Sequence, residues 1–306
     1  MRITFLTIFL TIMAVSLLGQ DLDKIKKEDL VQVSGSLGSM GTYYNGPSER
    51  SPFFWQLQAN LNISTPLLSI PLSFVLSQQQ QAFGYPTQPF NQYGLSPKYK
   101  AVKLHLGYRT MRFSEFSLSG NQFLGAGVEL APKDKMFKYK CLLGRFSKAI
   151  YGDTNDVILG AIPTFERWGW GNHIELGTVA NNVSLLLFKA KDDANSISNL
   201  YDSSAVFKPA ENLIFGITTK QKVNKHLSFD SEIDWSAYTN NTRVQESVLQ
   251  GFSYLNNLGS LFYANSTTTF NKAILANLKY SKKSLGLKFG YRRIDPEYKT
   301  MGSVYL

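Results

Sequence analysis

Three histidines and one cysteine are the side chains of this 306-residue chain whose chemistry lies nearest neutral pH. His105 falls on the polar side of an alternating stretch, His173 shares a face with Glu175, and His226 stands at a turn. A hydrolase would need His105 or His173 within hydrogen-bond reach of a serine hydroxyl. No Gly-x-Ser-x-Gly turn marks such a serine. His173 with Glu175 offers a pair of metal-ligand types and no more. Cys141 is in line with Phe137, Tyr139 and Leu143, which makes it a small apolar filler. One cysteine also excludes a disulfide framework and a Cys-rich zinc module. No Walker loop is present, and Gly125-Ala126-Gly127 lies inside a strand pattern, where glycines mark close packing or a bend rather than a dinucleotide turn. No catalytic residue, cofactor or metal site is assigned, and the chain is not expected to be an enzyme.

The charged residues form a more telling pattern. Lys103, His105, Arg109, Lys138, Lys140, Lys279, Lys288 and Arg292 all fall on the polar side of strand patterns. So do Glu175, Asp230, Glu232 and Asp234. If the apolar sides face lipid, these twelve face a lumen. Opposed charges across a lumen serve either as ion-paired filling or as a selective lining. The net charge is +10, but Lys and Arg are scattered and not gathered with stacking aromatics, so no nucleic-acid partner is expected. Turn lysines such as Lys282 and Lys283 suit lipid phosphates.

These residues are positioned by strands with a period of two. In 53–63, Phe53, Trp55, Leu57, Ala59, Leu61 and Ile63 alternate with Gln56, Gln58, Asn60 and Asn62. The same alternation runs through 69–77, 102–109, 227–237 and 285–292. Pro71 falls on the polar side of its strand and is the weak point there. Further strands are expected at 31–43, 122–131, 136–145, 166–178, 183–191, 211–222 and 270–280, giving about twelve. Most are longer than the roughly 5–6 residues usual in soluble sheets and match the roughly 9–11 that a tilted membrane strand needs.

Short links at 64–66, 132–134, 180–182, 223–225 and 281–284 contrast with long ones at 44–52, 78–100, 146–165, 192–210 and 239–269. Short turns on one side and long loops on the other is the outer-membrane pattern. The stretch 110–120 breaks the alternation: it is long where a short turn is required. A further strand or a lumen-inserted segment is therefore expected within 78–120. Aromatics gather near strand ends, among them Tyr43, Phe53, Trp55, Trp168, Trp235, Tyr238 and Tyr291, as at a membrane interface.

Residues 1–19 read as a secretory signal peptide, with Arg2 ahead of an apolar run and Ser16 and Gly19 near the cut. Residues 20–30 are a charged linker. No second run approaches the roughly 20 apolar residues of a membrane helix. The expected fold is all-β: an antiparallel transmembrane β-barrel over 31–306, or the open N-terminal part of one.

Residues 91–132, 167–197 and 289–306 resemble outer-membrane β-barrel proteins of the Bacteroidota. The resemblance rests on the motifs GLSPKYK, LHLGYR, FLGAGVEL, KAKDD and RIDPEYKTMG. It implies an outer-membrane barrel with no catalytic residues to transfer. It also implies that relatives continue with more strands past the equivalent of Leu306, so the barrel is expected to be incomplete at its C-terminus. The sheet would then be open or poorly closed, with 285–293 at an edge and 298–306 unanchored. The leading function is a channel or a substrate-binding transport protein. The alternative is a non-conducting structural or secretion-associated barrel, and an outer-membrane hydrolase is the third. Expected partners are outer-membrane lipid, the barrel-assembly machinery and a small-molecule solute.

Overall fold

The computed structural model describes residues 31–46, 53–77, 91–133, 135–150, 163–197, 207–247, 255–256 and 258–303. The signal peptide and the charged linker lie outside the described residues. The chain is all-β, and its described residues form 14 strands in one antiparallel sheet. In order they are β1 (Gln32–Tyr43), β2 (Phe53–Ser64), β3 (Leu68–Ser77), β4 (Gln92–Leu95), β5 (Lys98–Tyr99), β6 (Val102–Thr110) and β7 (Gln122–Leu130). Then follow β8 (Phe137–Ser147), β9 (Arg167–Gly177), β10 (Asn181–Asp192), β11 (Glu211–Lys222), β12 (Leu227–Thr239), β13 (Thr268–Lys282) and β14 (Leu285–Ile294). Neighbours in sequence are neighbours in the sheet, except β4 and β5, which lie end to end between β3 and β6. All twelve strands expected from the two-residue period are present.

The thirteenth ribbon is the one that periodicity missed. β4 and β5 together fill the place between β3 and β6. The expected link 78–100 therefore contains a strand, broken at Ser96 and Pro97, because proline has no N–H to give a ladder. Counting this ribbon shifts the parity. The segment 111–121 now belongs to the long-loop side, and the short turn formerly required there is supplied by Lys100 and Ala101. Lys100 adopts φ 49°, the left-handed conformation of a tight turn.

The sheet curls around a filled interior. Segment 111–121 leaves β6, and its residues reach β9, β12 and β13: Phe113 stacks on His173, Ser114 bonds Asp234, and Phe116 packs with Ala273. One stretch of eleven residues can touch strands so far apart in the sheet only if the sheet wraps it. The interior at this level is apolar, contrary to a wholly polar lumen. Phe123, Phe146, Leu186, Phe188 and Ile214 pack there with Met111, Phe113 and Leu118 of the inserted segment and Met301. Inward glycines make the room. A Cβ on Gly127 would meet Met111 Sδ, and one on Gly171 would meet the Phe113 ring.

The residues after β14 are held as well, so the expectation of an unanchored tail over 298–306 is corrected for 298–303, while 304–306 lie outside the described residues. Tyr298 and Met301 are buried, and Ser119 N–H donates to Gly302 O at 3.0 Å. No ladder joins β1 to β14 among the described residues, and β1 and β14 are exposed on both faces.

A second apolar cluster lies on the outer face of the same wall. Leu213 and Ala237 pack there with Leu255, Phe262 and Ala264 from the β12–β13 loop. Leu213 and its neighbour Ile214 thus belong to opposite faces of β11. Beneath this loop, Glu211 is 1% exposed and pairs with Lys189 at 2.9 Å and Lys191 at 3.2 Å. Lys189 also donates to the Ser260 carbonyl at 3.2 Å.

Candidate functional site

The inserted segment is latched by inward side chains of β12. Glu232, Asp234 and Ser236 alternate along that strand, so all three point at the plug. Phe116 N–H donates to Glu232 Oε1 at 2.8 Å, and Ser114 Oγ donates to Asp234 Oδ2 at 2.8 Å. Ser114 and Ser117 hydroxyls are 2.5 Å apart, closing the turn between them. From β14, Arg292 reaches Glu115 at 2.6 Å and lies over the Phe116 ring at 5.1 Å. From β8, Lys140 donates to the Arg112 carbonyl at 3.1 Å.

The chain after β14 locks the same turn from the other side. Tyr298 Oη donates to Phe116 O at 3.1 Å, and Thr300 Oγ1 donates to Ser117 O at 2.8 Å. Burial pushes the Tyr298 phenol up, and the nearby Asp234 and Glu232 charges push it further, so the hydroxyl keeps its proton and stays a donor. Ser236 donates to Lys299 O at 2.6 Å, and Asn212 accepts from Met301 N–H at 3.1 Å. The interior filling is therefore two interlocked segments, 111–121 and 295–303, bonded to each other and to the wall.

Below the plug, towards the short turns, lies a cavity of ≈ 400 Å³. Plug residues 112–115 roof it. Its walls bring together Lys140, Glu175, Asp230 and Glu232 from the expected charged set, with His173 and Lys220 added. Lys220 sits on the inward face of β11 opposite Asp230, a position that the strand assignment of 211–222 alone did not single out. Around these, hydroxyls and amides from Ser184, Thr218, Asn182 and Asn277 complete a polar surface. His173 is 4% exposed, and its Nδ1 has no hydrogen-bond partner among the described residues. Glu175 is held by Lys138 at 2.6 Å.

The remaining charged residues fall outside the cavity. Asp230 also pairs with Lys279 at 2.5 Å. Lys288 is exposed and stands opposite Lys279 in the β13–β14 register. Arg109 donates to Ser73 Oγ at 2.6 Å and helps line a separate cavity of ≈ 460 Å³ beside β1–β3. His226 is exposed at its turn, 2.9 Å from Ser281 O.

His105 does lie near a serine. Its Nδ1 is 3.4 Å from Ser96 Oγ, and its Nε2 is 2.6 Å from Glu129 Oε1. The order Ser, His, Glu is that of acyl-transfer enzymes. The surroundings are not. Ser96 N–H already donates to Pro71 O at 2.9 Å, and the next residue, Pro97, has no N–H. Neither amide at the hydroxyl is free to hold an oxyanion. Lys103 stands 3.6 Å from Glu129 and Arg109 is engaged with Ser73. The chain of bonds ties the β4–β5 break to β6 and β7, which is a structural task.

No family model matches the chain, and no curated protein matches it in sequence. Among solved structures it is similar to OccK8 (OprE) of Pseudomonas aeruginosa, at 11% identity over 86% of this chain and 68% of that one, with a TM-score of 0.40. It is also similar to a loop-L8-deleted OmpT, an outer membrane protein of Vibrio cholerae, at 10% identity over 86% and 94% of the two chains, with a TM-score of 0.38. A third is Salmonella typhi OmpF in complex with daunomycin, at 10% identity over 88% and 92%, with a TM-score of 0.36. No residue role carries across at these identities.

Proposed function

We propose that this chain is an outer-membrane β-barrel protein that binds and transports a small polar solute through a plugged, not freely open, interior. The single observation that carries this reading is the charge-lined cavity of ≈ 400 Å³ directly beneath the latched plug. It lies within the 300–1,000 Å³ typical of small-molecule sites. Long strands with apolar outer faces, short turns at one end and long loops at the other support the membrane assignment. The resemblance to outer-membrane barrels of the Bacteroidota supports it independently. In this reading the signal peptide exports the chain, assembly machinery inserts it, and lipid covers residues such as Leu104 and Leu106.

A non-conducting structural or secretion-associated barrel is the second reading. The apolar interior cluster favours it, because a core of phenylalanines conducts nothing while it stays packed. Planar-bilayer recording separates the two. The wild-type chain is expected to conduct little, and a variant with residues 112–118 replaced by a short Gly-Ser link is expected to open. An equally silent variant overturns transport in favour of the structural reading. A large steady conductance of the wild type overturns the plugged reading in favour of open diffusion. Fractionation tests the location: outer-membrane recovery with a heat-modifiable gel shift is expected, and recovery in the soluble periplasm without detergent refutes it.

A further inference from the structure

We infer that the cavity of ≈ 460 Å³ beside β1–β3 is a binding site for a small organic anion, held through its carboxylate or phosphate head by Arg109. The site is separate from the cavity beneath the plug and does not depend on the transport reading. Two charged residues line it, Lys103 and Arg109, and both are cations. The other polar side chains of the lining are hydroxyls and amides, such as Ser36, Asn60 and Asn62. The sequence accounts for the one-signed wall. No aspartate or glutamate occurs between residues 50 and 114, and β1 has none either, so β1–β6 carry no carboxylate side chain.

Arg109 shows what this region lacks. The other arginines of the strands each meet a carboxylate: Arg145 with Glu166 at 3.5 Å, Arg167 with Asp192 at 2.7 Å, Arg292 with Glu115 at 2.6 Å and Arg293 with Asp295 at 3.1 Å. Arg109 meets none among the described residues. Its Nη1 donates to Ser73 Oγ at 2.6 Å and its Nη2 to Pro71 O at 3.5 Å, and both acceptors are neutral. Its Nε is buried with no hydrogen-bond partner among the described residues, packed where a Cβ on Gly94 would stand 2.9 Å away. A partly buried charge with only neutral partners is costly, and an opposite charge relieves it. Each terminal nitrogen keeps a second N–H, the planar fork that a carboxylate or phosphate accepts in bidentate fashion.

Lys103 supplies a second positive charge. It stands 3.6 Å from Glu129, but that carboxylate is bonded by His105 Nε2 at 2.6 Å and is not part of the cavity wall. Other ligand classes fit less well. A cation meets two like charges and no carboxylate in the lining. A neutral sugar satisfies the hydroxyls and amides but leaves the guanidinium uncompensated. The volume lies within the 300–1,000 Å³ of small-molecule sites, so an organic body fits behind the head.

Calorimetric titration of the full chain in detergent, at fixed chloride, with gluconate, glucose 6-phosphate and glucose tests this. Saturable binding of at least one anion is expected, with glucose at least about tenfold weaker. The tighter of the two anions identifies the head. Arg109→Gln should weaken anion binding at least about tenfold, and Lys103→Gln should weaken it less. Ser73→Asp sets a carboxylate beside the guanidinium. It should weaken anion binding as much as Arg109→Gln without lowering the unfolding midpoint, which separates loss of the site from loss of the fold. Lys140→Met, beneath the plug, should leave the affinity unchanged. Glucose bound as tightly as the anions, no saturable anion binding, or full affinity in both Arg109→Gln and Ser73→Asp overturns the inference. A loss in Lys140→Met alone would place the anion beneath the plug and overturn it too. Silence in the planar bilayer would remove the transport reading and leave this site standing.

Discussion

Single side chains decide what can occupy the interior. Gly171 on β9 has no Cβ, and the Phe113 ring occupies the space where one would stand. Gly171→Leu therefore pushes the plug off the wall or strains both, at a cost of about 1–3 kcal/mol. Urea unfolding should show the loss, and limited proteolysis should reveal new cleavage within 111–121. The opposite face obeys lipid. Leu104 is 37% exposed on the outside of β6, whereas its neighbour His105 is 3% exposed and bonded on both ring nitrogens. Leu104→Arg should cost about 2–4 kcal/mol near the membrane centre. Lys103→Ala, which removes a half-exposed partner of Glu129, should cost less than about 1 kcal/mol. Equal losses from the two substitutions, measured as unfolding midpoints in lipid vesicles, would reverse the face assignment.

At the scale of elements, the strands were legible because membrane-length β structure leaves alternation over nine or more residues. β4 and β5 were not, since four residues and two residues on either side of Ser96-Pro97 are too few for a period to show. Missing that ribbon misplaced 111–121 by one side of the barrel. Alternation set Lys140, Glu175, Asp230 and Glu232 on the polar sides of their strands, and one cavity gathers these four, whereas His173 and Lys220 were not in that set. The partners of the strand residues were not legible. Arg112, Ser114 and Glu115 sit in a link with no period, and Ser96 sits at a break, so no pattern connects them to the strands that they meet across more than a hundred residues in some cases. Tyr238 was grouped with interfacial aromatics, yet it points inward and packs on the interior cluster. Parity along β12 would have assigned it, since it shares the face of Asp234 and Ser236. The β12–β13 loop carries its own anchor. Phe262 is 2% exposed among Leu213, Leu255 and Ala264. Phe262→Ala should cost about 3–5 kcal/mol if the loop cannot collapse onto the gap. Loop-specific proteolysis within 240–267 with an unchanged gel shift is the expected readout.

For the molecule as a whole, cover is distributed unevenly around the curl. Among the described residues β1 and β14 are exposed on both faces and each has one edge with no strand partner, while β10–β12 carry the plug on one face and the β12–β13 loop on the other. Free edges invite pairing with other chains, so the isolated protein is expected to self-associate in detergent. The doubly covered strands have a different consequence. An amide trades its hydrogen for solvent deuterium only when its bond opens, and opening here must lift packed side chains on two sides at once. Leu186, Phe188 and Ile214 should therefore exchange last, near the limit set by global unfolding, and the amides of β1 and β14 first. Deuterium uptake followed by mass spectrometry should show protection rising from both edges towards β11. Uniform uptake around the curl would mean that the loop and the plug add no mechanical support. The gradient makes β10–β12 the spine against which the plug can move while the wall stays whole.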